Sequence, residues 1–71
     1  MPDSVYKYIV LAGTSTESWE KAAETAVTQA AKSLRDLRIA EVVEMDMQIE
    51  NGKIKTYRTK IRVSFKYEGK E

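Results

Sequence analysis

Apolar positions along this chain form first a strand-like run, then a helical stripe, then a strict alternation, and each change of period marks an element. Val5-Tyr6-Lys7-Tyr8-Ile9-Val10-Leu11 is β-branched and aromatic with few breaks, which predicts a strand packed on at least one face. Gly13-Thr14-Ser15 interrupts that run. Trp19, Ala22, Ala23, Ala26, Val27, Ala30, Ala31 and Leu34 then follow at steps of three and four, the spacing of one continuous stripe on an α-helix. Ser15 is the predicted N-cap, with Glu17 and Glu20 near the positive end of the helix dipole. Beyond Leu37 the period falls to two. Val43, Met45, Met47 and Ile49 alternate with Glu44, Asp46, Gln48 and Glu50, the pattern of a half-buried strand.

Asn51-Gly52 is the strongest turn signal in the chain. Past it, Tyr57, Thr59, Ile61, Val63, Phe65 and Tyr67 alternate with Arg58, Lys60, Arg62 and Lys66, so a long hairpin is predicted. A two-residue loop sets odd positions against even ones and mixes the faces. A three-residue loop, Glu50-Asn51-Gly52 with Gly52 in a left-handed bulge, keeps like positions opposite and brings Met45 to Tyr57 and Glu44 to Arg58. One hairpin face is then apolar, and the other carries facing acidic and basic residues that specify register more than stability. An all-antiparallel sheet requires the order one-three-two with a right-handed crossover through the helix, which makes the third strand central. The predicted fold class is α+β: a βαββ unit with a three-stranded antiparallel sheet on one amphipathic helix, in a single domain over residues 1–71. No internal repeat, linker or low-complexity segment is visible, and the first few residues and Glu68-Gly69-Lys70-Glu71 read as loose.

A domain of 71 residues buries a smaller share of its unfolded surface than a larger one. Most of the helical stripe is alanine, which allows close approach to the sheet but contributes little area at about 25 cal/mol per Å² buried. The chain has no cysteine for a disulfide and no Cys or His cluster for a structural zinc. Self-association is the remaining common remedy for a marginal core. The same composition removes the usual general base near neutral pH and the commonest nucleophile arrangements, so enzymatic chemistry is not expected. Charges nearly balance at a formal +1, and no aromatic-interleaved RNA motif accompanies the basic residues Lys53, Lys55, Arg58, Lys60, Arg62 and Lys66. Neither nucleic acid nor a membrane surface is an expected partner. The longest apolar run, Tyr8 to Ala12, is too short to cross a bilayer, and Met1-Pro2-Asp3-Ser4 opens no secretory signal, so a soluble cytoplasmic protein is expected.

Val5-Tyr6-Lys7 opening a strand, Gly13-Thr14-Ser15 ahead of an Ala-rich helix, Ala40-Glu41-Val42 opening the second strand, and Tyr57 with Val63-Ser64-Phe65 on the third stand in an order and spacing that resemble the dodecins. The resemblance covers nearly the whole chain. It implies a small βαββ subunit of a hollow homododecamer that binds flavins such as riboflavin or FMN in pairs between aromatic side chains, for storage and protection without turnover. In flavin-binding members a Trp just before the Ala-Glu-Val element stacks on the flavin, and a Gln after the strand-three Tyr hydrogen-bonds the ring's polar edge. The matching positions here are Ile39 and Arg58. Ile39 has no planar π surface, and Arg58 has only donors where an amide has both donor and acceptor.

Each remaining candidate residue carries two readings. The planar fork of Arg58 suits an anionic ligand, such as the phosphate of FMN or a carboxylate, and it equally suits an ion pair with Glu44 or Asp46 across the hairpin or between subunits. Glu44, Asp46 and Glu50 project from one strand face at steps of two. Copies brought together by symmetry would make an oxygen-rich site for Ca²⁺ or Mg²⁺ there, although such a face is also simply the solvated side of a strand. Trp19, the one large residue on the helix, reads as a packing anchor. The expected function is a non-enzymatic, dodecin-like hollow homo-oligomer that stores a small ligand between subunits, a flavin by resemblance. The alternative is a flavin-free structural shell that binds a divalent cation such as calcium.

Overall fold

The computed structural model describes residues 3–67. β1 (Tyr6–Ser15) leads into α1 (Trp19–Ala31), after which β2 (Leu37–Glu50) and β3 (Lys53–Lys66) form a long antiparallel hairpin. The sheet order is β1-β3-β2, with β3 in the centre as the alternating strand directions require. The expectations of looseness at Met1, Pro2 and Glu68–Glu71 lie outside the described residues.

β1 is longer than its apolar run predicts. Gly13, Thr14 and Ser15 belong to the strand and pair with Thr59, Arg58 and Tyr57 of β3. Gly13 marks the place where α1 rests on the sheet: a Cβ there would run into the Ala22 carbonyl oxygen and lie 3.0 Å from Ala26 Cβ. The helix consequently starts later than predicted, and Ser15 is not its cap. Ser18 takes that role, its Oγ accepting from the Lys21 N–H at 3.1 Å, while Ser15 Oγ accepts from the Glu17 N–H at 2.9 Å in the connecting turn. At the other end the helix stops at Ala31, and Leu34 continues the stripe from a turn in which its N–H donates to the Ala30 carbonyl at 2.9 Å.

The core is as thin as the composition implies. Ala22, Ala26 and Ala30 on α1 are buried together with Ile61 and Val63 on β3, and Ile9, Leu11, Ala23, Val27 and Leu37 pack around them. Thr59 is also fully buried, and its hydroxyl donates to the Trp19 carbonyl at 2.9 Å, so no polar group is stranded there.

The hairpin turn differs from the predicted three-residue loop. Asn51 (φ 55) and Gly52 (φ 73) alone make the turn, and Glu50 stands opposite Lys53. Two consecutive positive φ values give the mirror-image turn whose twist matches that of the flanking strands. Like positions are brought back into opposition by a bulge at Lys55 rather than by an extra loop residue. Met47 therefore faces Tyr57 and Asp46 faces Arg58, in place of the predicted Met45–Tyr57 and Glu44–Arg58 pairs. Two more bulges, at Val43 and Arg38, shift the register again toward the start of β2.

α1 packs mainly on β1 and β3. The helix-side residues of β2, Val42, Met45, Met47 and Ile49, and Ile54 across from them remain open, with exposures from 41% at Met47 to 65% at Ile49. The molecule measures 55 × 20 × 18 Å, so the hairpin extends well past the helix.

Candidate functional site

The sheet face turned away from α1 carries a ladder of charges. Alternation places Arg58, Lys60 and Arg62 on that side of β3, and the register sets an acidic residue of β2 against each. Arg58 closes on Asp46 through two hydrogen bonds, Nε to Oδ1 at 2.8 Å and Nη2 to Oδ2 at 2.7 Å. Lys60 Nζ lies 3.0 Å from Glu44 Oε1, and Arg62 Nε donates to Glu41 Oε1 at 3.1 Å. Near the tip Lys55 pairs with Glu50 at 3.3 Å. The guanidinium of Arg62 also lies 5.5 Å from the ring centre of Tyr8 on β1, within cation–π range.

Hydrogen bonding from Arg58 holds the Asp46 carboxyl below the usual aspartate range; partial desolvation opposes this, and the charges of Arg58 and Lys60 add to it. The same bonds raise Arg58, and the bond to Glu41 raises Arg62. Asp46 is held from a second direction. The Trp19 indole N–H donates to the Asp46 carbonyl at 2.9 Å, and the Trp19 ring meets Tyr57 edge-on with centroids 5.0 Å apart. The start of α1 is thus fastened to the rungs that carry the Arg58–Asp46 pair. Trp19 is a packing anchor, as its place on the stripe suggests.

Ala12, Glu44, Asp46, Arg58 and Lys60 line a polar depression of about 380 Å³. Ile39 is elsewhere. It stands opposite Ser64, six positions from Arg58 on β3 and so about 20 Å along the strand at roughly 3.3 Å per residue. There it borders a smaller hollow of about 160 Å³ with Val27, Leu37, Arg38, Ala40 and Val63. One subunit does not bring Ile39 and Arg58 together.

Within one subunit the carboxylates are poorly disposed to share a cation. Glu44 and Asp46 share the polar depression, but each already faces a cationic side chain, and Glu50 sits apart at the tip. Among the described residues no group of three or more His, Cys, Asp or Glu is placed to hold a metal ion. Calcium takes about six to eight oxygens, so one subunit does not fit it by itself. The Glu41–Arg62–Tyr8 cluster escaped the sequence reading because the bulges at Val43 and Arg38 decide which residue Arg62 meets, and no composition signal marks them.

The sequence model for Dodecin matches residues 5–68. The chain belongs to the dodecin family. The calcium dodecin of Mycobacterium tuberculosis is 55% identical to it over 64 residues, covering 89% of each chain. A crystal structure of that protein, described as calcium chelating and as having a novel calcium-binding site, superposes with a TM-score of 0.82 over 96% of this chain and 97% of its own. The dodecin of Thermus thermophilus is 39% identical over 64 residues, 90% of this chain and 93% of that one. The structure of the Streptomyces coelicolor dodecin gives a TM-score of 0.91 at 30% identity, over 99% of this chain and 100% of its own. The dodecin fold and a dodecin-like ligand-binding role follow for this chain. No helix among its described residues is long and apolar enough to cross a membrane.

Proposed function

We propose that this dodecin acts without catalysis as a homo-oligomer, a dodecamer in keeping with its family, whose ligand sits where copies meet, and that the ligand is a divalent cation in place of a flavin. The observation that carries this reading is the fork of Arg58 closed on Asp46, at the position from which flavin-binding dodecins present an amide. Two of the Arg58 donors are spent on Asp46, the residue has no acceptor, and Ile39 brings no ring. Both contacts that hold a flavin ring are therefore missing. Calcium is the favoured cation because a relative 55% identical to this chain is a calcium dodecin. One subunit supplies too few carboxylates and both are paired, so Glu44 and Asp46 would exchange Lys60 and Arg58 for the ion and act together with carboxylates of neighbouring copies. The open strip of Val42, Met45, Met47, Ile49 and Ile54 supports assembly, since contiguous exposed apolar surface on a subunit with a small core marks a contact.

Native mass spectrometry under mild activation, with calcium and riboflavin added in separate runs, tests the reading. The expected result is an oligomer that retains calcium and carries no flavin. A monomer overturns the assembly, and flavin adducts without calcium overturn the choice of ligand. A double variant, Ile39→Trp with Arg58→Gln, is expected to gain flavin binding. If it binds no better than the parent, these two positions do not form the site.

A further inference from the structure

We infer that the Asn51-Gly52 turn is a site of spontaneous covalent modification in the folded protein, where the Asn51 amide is lost and an aspartyl or isoaspartyl linkage takes its place. Asn51 is the only asparagine in the chain, and it is followed by the residue that least obstructs attack by its own backbone nitrogen. The structure puts this pair in the open. Both residues are exposed at the tip of a hairpin that extends past the helix, and nothing lies within 4 Å of the point where a Gly52 Cβ would be. Among the described residues no hydrogen bond engages the Asn51 side chain or the Gly52 N–H. Gln48, the nearest other amide, differs on both counts: its Oε1 accepts from the Thr56 hydroxyl at 3.1 Å, and the β-branched Ile49 follows it.

The chemistry needs only water and a trace of base. The Gly52 backbone nitrogen gives up its proton and attacks Asn51 Cγ. As the N–Cγ bond forms, the Cγ–Nδ2 bond breaks and ammonia leaves, closing a five-membered succinimide. Water then adds to one of the two ring carbonyls. Cleavage of the N–Cγ bond yields aspartate, and cleavage of the bond from nitrogen to the former backbone carbonyl yields isoaspartate, whose main chain runs through Cγ. No electrons are exchanged with another molecule. Each event adds one carboxylate and takes the formal charge of the subunit from +1 to neutral. The isoaspartyl form also lengthens the main chain inside a turn whose two residues hold φ values of 55 and 73. The Glu50–Lys53 rung beside it then loosens.

The experiment is prolonged incubation of the intact folded protein at mildly alkaline pH, followed by intact-mass measurement and peptide mapping, with an Asn51→Asp variant alongside. That variant keeps a residue favoured in this turn but has no amide to lose. The expected result is a gain equal to the mass difference between an amide and an acid, mapped to the tip as two isomeric peptides, with no gain in the variant. Folded protein that keeps the Asn51 amide, whether or not a urea-unfolded sample loses it, overturns the inference. So does a mass gain confined to Gln29 or Gln48.

Discussion

At Asp46 the carbonyl accepts from the Trp19 indole while both carboxylate oxygens accept from Arg58. Because the folded-state pKa of Asp46 is lowered, the stabilising effect of its charge is present above the unfolded value and is lost as pH falls through the folded one. Urea midpoints measured across the acid range are expected to drop in the parent. An Asp46→Asn variant is expected to start lower at neutral pH and to show a shallower acid decline. The residue types at this site were legible in the sequence: an ion pair of Arg58 with an acid of β2 follows from the alternation of charges. Which acid was not legible, because Glu44 and Asp46 are equivalent by period, and only the bulge at Lys55 brings Asp46 to Arg58.

Among the elements, α1 and β1 depend on each other at Gly13. The helix stripe is alanine, and its backbone comes so close to the strand that a single added methyl meets the Ala22 carbonyl. Gly13→Ala is expected to cost about 3 kcal/mol, the upper part of the usual range for overpacking, because backbone rather than a flexible side chain must give way. Urea titration followed by circular dichroism checks this. The order and type of all four elements follow from periodicity, as does the central place of β3. The start of the helix does not: Ser15 and Ser18 are both competent hydroxyl caps, and the choice falls to Ser18 because pairing with β3 keeps the chain extended through Ser15.

For the whole molecule, a core of three alanines, one isoleucine and one valine leaves much of the apolar surface uncovered. The alanine stripe in the sequence already implied this need for partners, but the sequence did not show where the uncovered surface lies. The helix-side part of it lies on β2 because α1 packs on the other two strands, and Tyr6, Tyr8 and Val10 leave more of it on β1. Met47→Glu, which puts a charge into that strip, is expected to remove about 2 kcal/mol of apolar burial per copy and to shift the protein toward monomer in native mass spectra. Dispersed subunits that keep their circular dichroism would separate this from unfolding. The three bulges at Arg38, Val43 and Lys55 have a larger-scale consequence. A straight, unbroken edge strand would offer its free N–H and C=O groups as a template for a further strand, and repeated pairing of that kind builds a fibre. Each bulge bends the ribbon and tightens its twist, which spoils the flat edge that such pairing needs. Three unpaired residues in fourteen-residue strands thus guard the open edge of β2 against strand-by-strand growth.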